Sequence, residues 1–284
     1  MKRSKTIEEK AMKWLSAFAT YSLILLLGFI VLIIFIKGFN ALSLDMIFKT
    51  PKGGYYYGGE GGVLNAIAGS FYIAFGATLL SMLVGIPSAL FLNTQLNRHK
   101  RAQNTIRYVL DALWGIPSIV YGAFGFALML YLGLTASLLA GIITVALLVT
   151  PIVIRTFDEV LCNIPMVLHE SVLAMGATKT EMAFRVLIKQ GFPGLVTAVL
   201  LAFGRGIGDA ASVLFTAGYT DRIPTTLDEP AATLPLAIFF QLGSPIPEVR
   251  ERAYAAALIL TFIVLLVSLS ARAISKKQAK SIIK

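Results

Sequence analysis

The sequence has few of the features on which water-soluble folds depend. Only 14% of its 284 residues are charged, whereas 57% are hydrophobic. An ordinary soluble domain is about one quarter charged, and a fold of this length has no interior large enough to bury so much apolar surface. The single cysteine, Cys162, excludes a scaffold of intrachain disulfides. A polytopic membrane protein is the class that remains.

The sequence also lacks the motifs of catalytic sites. It contains no G-x-x-x-x-G-K-[ST] P-loop, so we do not expect the chain to hydrolyse ATP itself. Neither of the two histidines lies in a metalloprotease-type helix, and the cysteine has no histidine in a recognisable setting. We therefore predict no catalytic residue, no metal site and no cofactor, and an intramembrane enzyme is the weakest alternative.

Uncharged runs predict an all-α protein with six transmembrane helices. A spanning helix needs about 20 apolar residues. The run 14–36 has 23 uncharged residues, and the run 112–154 has 43, which is enough for two helices joined by a tight turn near 131–137. The other predicted spans lie at about 63–92, 190–220 and 253–271. A nine-residue apolar stretch, Leu234–Leu242, is too short to span and predicts a short helix, either at the outer interface or plugged between spans.

The distribution of positive charge predicts that both termini are cytoplasmic. In that orientation 18 of the 25 lysines and arginines lie in cytoplasmic segments and 6 lie outside. This asymmetry also accounts for the net charge of +10, so the basic composition indicates membrane sorting and no nucleic-acid partner.

These segments divide the chain into three parts. Residues 1–62 hold a cytoplasmic segment, a first transmembrane helix and a glycine-rich outer loop. Residues 63–274 form the core domain with five transmembrane helices, and residues 275–284 are a basic cytoplasmic tail. The apolar core of the first helix is longer than the 7–15 residues of a signal peptide, so we interpret this helix as retained.

The cytoplasmic segment 155–190 is too long to be a simple connection between two spans. Its apolar residues recur at helical spacing after Pro165, and Gly176 stands where a helix would end. Thr178 and Thr180 are suited to cap the next helix. The pattern predicts a helix–turn–helix elbow with a short helix at about 165–179, which either lies on the membrane or docks a soluble partner.

The elbow carries a specific resemblance. Its segment Glu170-Ser171-Val172-x-x-x-Gly176-Ala177 resembles the "EAA" loop of ABC-importer permeases, whose pattern is E-A-A-x-x-x-G. Ser171 and Val172 replace the two alanines, and the proline that ends the family's I-x-L-P tail is missing. The resemblance implies a type I ABC importer permease fold with a coupling helix that docks on an ATPase subunit. It implies that Glu170, Ser171, Gly176 and Ala177 form this contact.

Four further stretches resemble the phosphate-specific permeases, and in particular the second of their two permease subunits. The stretches are GIPSIVYG at 115–122, PIVIRT at 151–156, RGIGD at 205–209 and LFTAG at 214–218. They occur in the family's order. The family usually has Glu where this chain has Asp209, followed by Thr where this chain has Ala210.

Arg205 is the residue that most directly suggests a transport pathway. It is the sixteenth of the 31 residues in 190–220, which predicts a position near mid-membrane. A buried arginine costs at least about 2.5–3.5 kcal/mol on insertion scales, so it must face the protein interior and have a partner. Asp209, four residues later on the same predicted helical face, is that partner. The pair either pins helices together or lines an anion pathway, and we favour the pathway because a guanidinium fork matches two phosphate oxygens.

Three more residues complete the predicted pathway. Arg155 matches a second arginine that the family associates with transport, and it equally suits anchoring at the cytoplasmic end of the fourth span. Ser118 and Thr216 offer hydroxyl donors to an anion, although such hydroxyls more often bond to their own helix backbone.

The resemblance also implies partners and a location. They are a second permease subunit, usually a different chain, an ATPase dimer on the cytoplasmic side and an extracytoplasmic phosphate-binding protein. The location would be a bacterial or archaeal cytoplasmic membrane, so lipid surrounds the chain. We predict a phosphate importer subunit. The alternatives are the same architecture with molybdate, tungstate or sulfate as cargo, and an ATP-independent secondary transporter.

Overall fold

The structure is a computed structural model that describes residues 2–52 and 61–278. The helices are α1 (Lys2–Ala41), α2 (Leu44–Phe48), α3 (Leu64–Thr94), α4 (Lys100–Trp114), α5 (Ser118–Tyr131), α6 (Leu138–Cys162), α7 (Met166–Ala174), α8 (Lys179–Ile207), α9 (Leu234–Leu242) and α10 (Pro247–Gln278). A 3-10 turn, Leu96–Arg98, joins α3 to α4, and Met182–Leu187 within α8 is π-helical. Most of the predicted glycine-rich loop (53–60) and the end of the predicted tail (279–284) lie outside the described residues.

Five of these helices, α1, α3, α6, α8 and α10, are long and apolar enough to cross a membrane. The sixth predicted span is broken, because α4 and α5 meet at an angle of 95°. Pro117 disfavours helical geometry at the residue before it, and Gly115 ends α4. The prediction that a span begins at about residue 112 is therefore wrong. The second half of the broken span, α5, has 14 residues and is about 21 Å long, which is shorter than the roughly 30 Å hydrocarbon core of a bilayer.

The centre of the bundle is α6, which packs against α3 and α8 on one side and α5 on another. Its most apolar window is 72% buried, whereas that of α1 is 0% buried. The turn predicted near 131–137 is confirmed, because α5 ends at Tyr131 and α6 begins at Leu138. Ser137 caps α6 by accepting a hydrogen bond from the Ala140 N–H.

The first helix extends beyond the bundle. It is 40 residues long, far longer than the predicted run 14–36. The C-terminal end of α1 contacts α10. Gly38 lies against the backbone of Tyr254, where a Cβ atom would collide. The apolar side chains before this crossing are exposed within the chain.

The bundle has two chemically different ends. The elbow end holds α7, the 3-10 turn and the C-terminal ends of α3 and α6. The opposite end holds the first residues of α3 and α6 and the segment 209–233, which reaches α6 through hydrogen bonds from Ser137 N to Thr216 O and from Leu138 N to Glu229 O.

The helix predicted at 190–220 is displaced in the structure. It begins earlier, at Lys179, and ends at Ile207, so the prediction of a helix through residue 220 is wrong. Three glycines, Gly204, Gly206 and Gly208, lower the helix propensity of this stretch. Asp209 then accepts a hydrogen bond from the Ser212 N–H, which favours a turn over another helical turn.

The short helix predicted at Leu234–Leu242 is confirmed with the same bounds. The hydroxyl of Thr233 caps it, and Pro235 occupies its first turn, where a missing N–H is tolerated. Its N-terminal end is buried at the opposite end of the bundle, where the Leu234 N–H donates to Ser70 Oγ of α3 at 2.8 Å. Together with 209–233 it closes this end of the bundle.

Candidate functional site

Arg205 and Asp209 form an ion pair at the C-terminal end of α8. The guanidinium Nη2 lies 3.6 Å from the Asp209 carboxylate, the Arg205 side chain is 50% exposed within the chain, and that of Asp209 is 4% exposed. Asp209 lies past the last residue of α8, so the prediction that both residues share one helical face is wrong, although their pairing is present. Asp209 is held by the Ser212 N–H, which donates to its Oδ2 at 2.8 Å. Its half-exposed guanidinium therefore keeps donors that Asp209 does not engage.

The neighbours of Gly206 give the depth of this pair. A Cβ at Gly206 would meet Val145 of α6 and Ala74 of α3. Val145 lies seven residues from the start of α6 and Ala74 ten from the start of α3, which is about 10–15 Å from the opposite end. Arg205 therefore lies within the apolar part of the bundle, in the half that faces the opposite end, and not at the midpoint of its helix.

The backbone is non-helical directly beyond this ion pair. Gly122 of α5 approaches it so closely that a Cβ would meet the Ala211 carbonyl oxygen and the Ser212 backbone. Thr216 is fully buried, and its Oγ1 donates to the Ser212 carbonyl at 3.2 Å. Non-helical backbone at membrane depth is tolerated only where it is buried in protein or lines a water-filled cavity.

Ser118 begins α5, one helical turn before Gly122 on the side of the elbow end. It therefore lies on the helix that packs against the non-helical segment 209–218, and its residue is partly exposed. The structure thus brings Arg205, Asp209 and Thr216 into one region of the chain and places Ser118 on the adjoining helix.

Arg155 lies elsewhere. It is ten residues after Val145 on α6, about 15 Å farther towards the elbow end than the Arg205 pair. Its guanidinium contacts three carboxylates, with Nε 2.6 Å from Asp111, Nη1 3.1 Å from Asp158 and Nη2 3.5 Å from Glu159. The structure does not bring the two predicted arginines into one site.

Sequence reasoning missed the residue that organises the elbow end, Asp158. This carboxylate is fully buried, accepts two hydrogen bonds from Arg107 and one from Asn93, each at 2.8 Å, and also contacts Arg155. We call Asn93, Arg107, Arg155 and Asp158 the Asp158 cluster. The signal in the sequence was an Asp inside an apolar helix, three residues after an arginine, but its strongest partner is 51 residues away.

The predicted elbow is present. After α7, Gly176 turns the chain with a φ of +85°, a conformation that residues other than glycine rarely adopt. Thr178 then caps α8 in a capping box with Glu181. The Thr178 N–H donates in return to the Glu181 carboxylate at 3.0 Å. The helix of the elbow, Met166–Ala174, is shorter than the predicted 165–179.

The elbow has a buried side and an exposed side. Val172 is buried against side chains that include Phe157 of α6 and Leu187 of α8. Glu170, Ser171 and Gly176 are exposed and Ala177 is partly buried. The exposed side also carries large apolar residues, namely Met166, Val167, Leu173 and Met175, which is typical of a protein-interaction surface.

Metal ligands are not clustered in this structure. Among the described residues no group of three His, Cys, Asp or Glu side chains could hold a metal ion. The chemistry available at the Arg205 pair is that of a cation with free donors beside a buried carboxylate. Such a site suits binding and release of an oxyanion.

Comparisons with known proteins agree with this architecture. Residues 81–283, which include the Arg205 pair and the elbow, match the family described as "binding-protein-dependent transport system inner membrane component". The phosphate transport system permease protein PstA of Haemophilus influenzae is 33% identical over 237 residues, which are 83% of this chain and 82% of that protein. PstA of Pasteurella multocida is 30% identical over 277 residues, 97% of each chain.

A solved structure supports the fold. The inward-facing MetNI methionine ABC transporter has a chain that superposes with a TM-score of 0.62 at 18% identity, and the alignment covers 78% of this chain and 96% of that chain. The predicted all-α, type I ABC importer permease fold is therefore confirmed.

Proposed function

Because the chain belongs to the family of binding-protein-dependent transport system inner membrane components, we propose that it is one permease half of an ATP-driven importer of inorganic phosphate. The observation that carries the proposal is a half-exposed arginine at membrane depth, beside a non-helical segment. The names of its relatives in Haemophilus influenzae and Pasteurella multocida support phosphate as the cargo. No P-loop is present in the sequence, so ATP hydrolysis would belong to a partner.

The Arg205 pair would act as a transient phosphate site. Arg205 would donate hydrogen bonds from its guanidinium to two phosphate oxygens. Asp209 would orient the guanidinium and, because its negative charge repels a dianion, would keep phosphate from binding too tightly to leave. Ser118 would add a hydroxyl donor along the same passage, and the buried hydroxyl of Thr216 would have to release the Ser212 carbonyl to add another. Of the two roles predicted for Arg155, its three carboxylate contacts favour anchoring over contact with phosphate.

The elbow would transmit movement of an ATPase to this site. Its exposed side would dock on the ATPase through Glu170, Ser171, Gly176 and Ala177. Its buried side packs on α6 and on α8, and α8 carries Arg205 at its far end. With the elbow cytoplasmic, both termini would be cytoplasmic, and the segment 209–233 would face an extracytoplasmic phosphate-binding protein. A second permease subunit would supply the other wall of the passage.

The cargo is tested with the assembled transporter in proteoliposomes. We expect uptake of labelled phosphate that requires ATP and that excess unlabelled phosphate abolishes, whereas sulfate or molybdate at equal concentration leaves it unchanged. Uptake that persists without the ATPase subunits would contradict the ATP-driven mechanism. Stronger inhibition by sulfate or molybdate than by phosphate would contradict phosphate as the cargo.

The docking surface is tested separately. Glu170→Lys and Gly176→Asp should release the ATPase from the complex and abolish uptake, because one reverses a charge and the other places a side chain at a positive φ. Glu248→Lys, which reverses a carboxylate in the first turn of α10, is the matched control. Normal co-purification of the ATPase with both elbow variants would overturn the docking proposal without touching the cargo.

A further inference from the structure

An apolar groove of about 440 Å³ opens between α3 and α4 at the elbow end. It is lined by Pro87, Phe91 and Leu92 of α3, Ile106 and Leu110 of α4, and Ile154 of α6. Ser88 also lines it, but its hydroxyl donates to the Val84 carbonyl of its own helix at 2.7 Å. The groove therefore suits a hydrocarbon chain better than a polar ligand.

The end of the groove where α3 and α4 meet is strongly basic. The turn that joins α3 to α4 and the first residues of α4 carry Arg98, Lys100 and Arg101, all exposed. Within the described chain, no carboxylate lies within 4 Å of these three cations. Lys179, at the start of α8, adds a fourth positive charge, with Nζ 3.5 Å from Gln95 Oε1 beside the turn.

Two hydrogen bonds connect the basic turn to the groove. Lys100 Nζ lies 3.4 Å from Gln103 Oε1, and Gln103 Nε2 donates to the carbonyl of Leu92, a lining residue, at 2.9 Å. Arg107, the next cation along α4, is different, because Asp158 accepts two hydrogen bonds from its guanidinium. The uncompensated positive charge is thus confined to the end of the groove where α3 and α4 meet.

The orientation of α4 indicates the height of the groove in the membrane. This helix is bent by 95° from α5, and it exposes Tyr108 and Trp114. Tyrosine and tryptophan are enriched at the membrane–water interface, where their rings lie at headgroup level. This pattern favours a position of α4 and its basic turn at headgroup level, with the groove between α3 and α4 directed towards the hydrocarbon.

We propose that this groove is a binding site for an anionic phospholipid. One acyl chain lies between Phe91 and Ile106, and the phosphate-containing headgroup contacts Arg98, Lys100 and Arg101. Positive charge with no carboxylate partner favours an anionic headgroup over a zwitterionic one, and basic pockets between transmembrane helices on the cytoplasmic side bind such lipids. The lining residues Pro87 and Ile154 are 13 and 9 residues farther towards the elbow end than Ala74 and Val145, so the site is about 14–20 Å from the Arg205 pair.

Native mass spectrometry of the complete transporter with added phosphatidylglycerol or phosphatidylcholine tests the headgroup contact. We expect one tightly held phosphatidylglycerol, and the double variant Arg98→Gln/Arg101→Gln should weaken its binding about thirtyfold without changing phosphatidylcholine binding. Lys10→Gln/Lys13→Gln, which removes two exposed cations near the N-terminal end of α1, is the matched control. An equal loss in this control would overturn a specific site.

Photo-crosslinking identifies what fills the groove in native membranes. A photoreactive phenylalanine at Phe91 should capture phospholipid, and Ile106→Trp, which fills the groove, should abolish that capture while phosphate uptake measured per complex is retained. Capture of a polypeptide at Phe91 would overturn the proposal, because the groove would then be a subunit contact. Unchanged lipid capture in Ile106→Trp would also overturn it.

Discussion

The two ends of the bundle differ in how completely the charges within their apolar helices are paired. At the elbow end, the buried Asp158 is paired with two arginines and an asparagine amide, with three contacts of 2.8 Å. Towards the opposite end, Arg205 makes one contact of 3.6 Å with Asp209 and is half exposed. The charges in the first region are saturated, whereas those in the second keep unused donors.

This difference separates a structural role from a transport role. A buried carboxylate is stable only when several donors compensate for the loss of water, and a carboxylate so compensated has no capacity left for a passing ligand. An arginine with a single distant partner can exchange water for an anion. We expect the Asp158 cluster to hold α3, α4 and α6 together and the Arg205 pair to meet the cargo.

The largest expected effect is at the centre of the cluster. Asp158→Asn leaves Arg107 and Arg155 without their buried counter-charge and should lower the free energy of unfolding by about 3–5 kcal/mol. The measurement is thermal unfolding of the detergent-solubilised protein. A variant with an unchanged melting temperature would remove the structural role that the comparison assigns to Asp158.

The second effect is on transport and not on stability. Arg205→Gln should lower phosphate uptake by about 100-fold, because a guanidinium that binds the anion in a partly dehydrated site is lost, while the complex still assembles. Arg250→Gln, which removes an exposed arginine in the first turn of α10, is the control and should transport normally. Normal uptake by Arg205→Gln would make its pair with Asp209 structural as well.

Arg155→Gln separates the transport role from the structural role, because Arg155 is both a predicted pathway residue and a member of the Asp158 cluster. Arg107 would still pair with Asp158 in this variant, so we expect a loss of about 1–3 kcal/mol in unfolding free energy, with uptake per assembled complex retained. Uptake and thermal stability should be measured on the same preparation. Loss of uptake at normal stability would instead place Arg155 in the pathway.

The smallest effect is expected at the exposed edge of the cluster. Glu159 is 59% exposed and lies 3.5 Å from Arg155, and exposed ion pairs contribute about 0–1 kcal/mol. Glu159→Gln should therefore change the melting temperature and the uptake very little. A loss as large as that of Asp158→Asn would show that burial does not distinguish the two carboxylates.

Sequence patterns correctly predicted the turns and the short helix that local residues determine. The turn between Tyr131 and Leu138, the short helix Leu234–Leu242 and the turn at Gly176 are all present in the structure. Each depends on neighbouring residues, namely a polar interruption, a length below that of a span, or a glycine at a positive φ. Local signals of this kind can be read without knowing what the segment packs against.

The wrong helix predictions fall where tertiary contacts or a proline override the apolar pattern. Residues 209–220 are nearly uncharged, yet they are not helical, because Asp209 and Ser212 form a turn that packs on Gly122 of α5. The run 112–131 is uncharged but bends at Pro117. Hydropathy measures whether a segment belongs in the membrane, but it does not measure whether that segment crosses as one straight helix.

The membrane class, the order of the apolar helices and the elbow could be predicted from the residues alone, because they follow from hydrophobic length and local backbone preferences. Which charges are saturated depends on packing. Arg155 and Arg205 look alike in the sequence, since each is an arginine in or beside an apolar run. The difference lies in partners such as Arg107 and Asp111, which are 40 or more residues away in the chain and are brought to Asp158 and Arg155 only by the packing of α4 on α6.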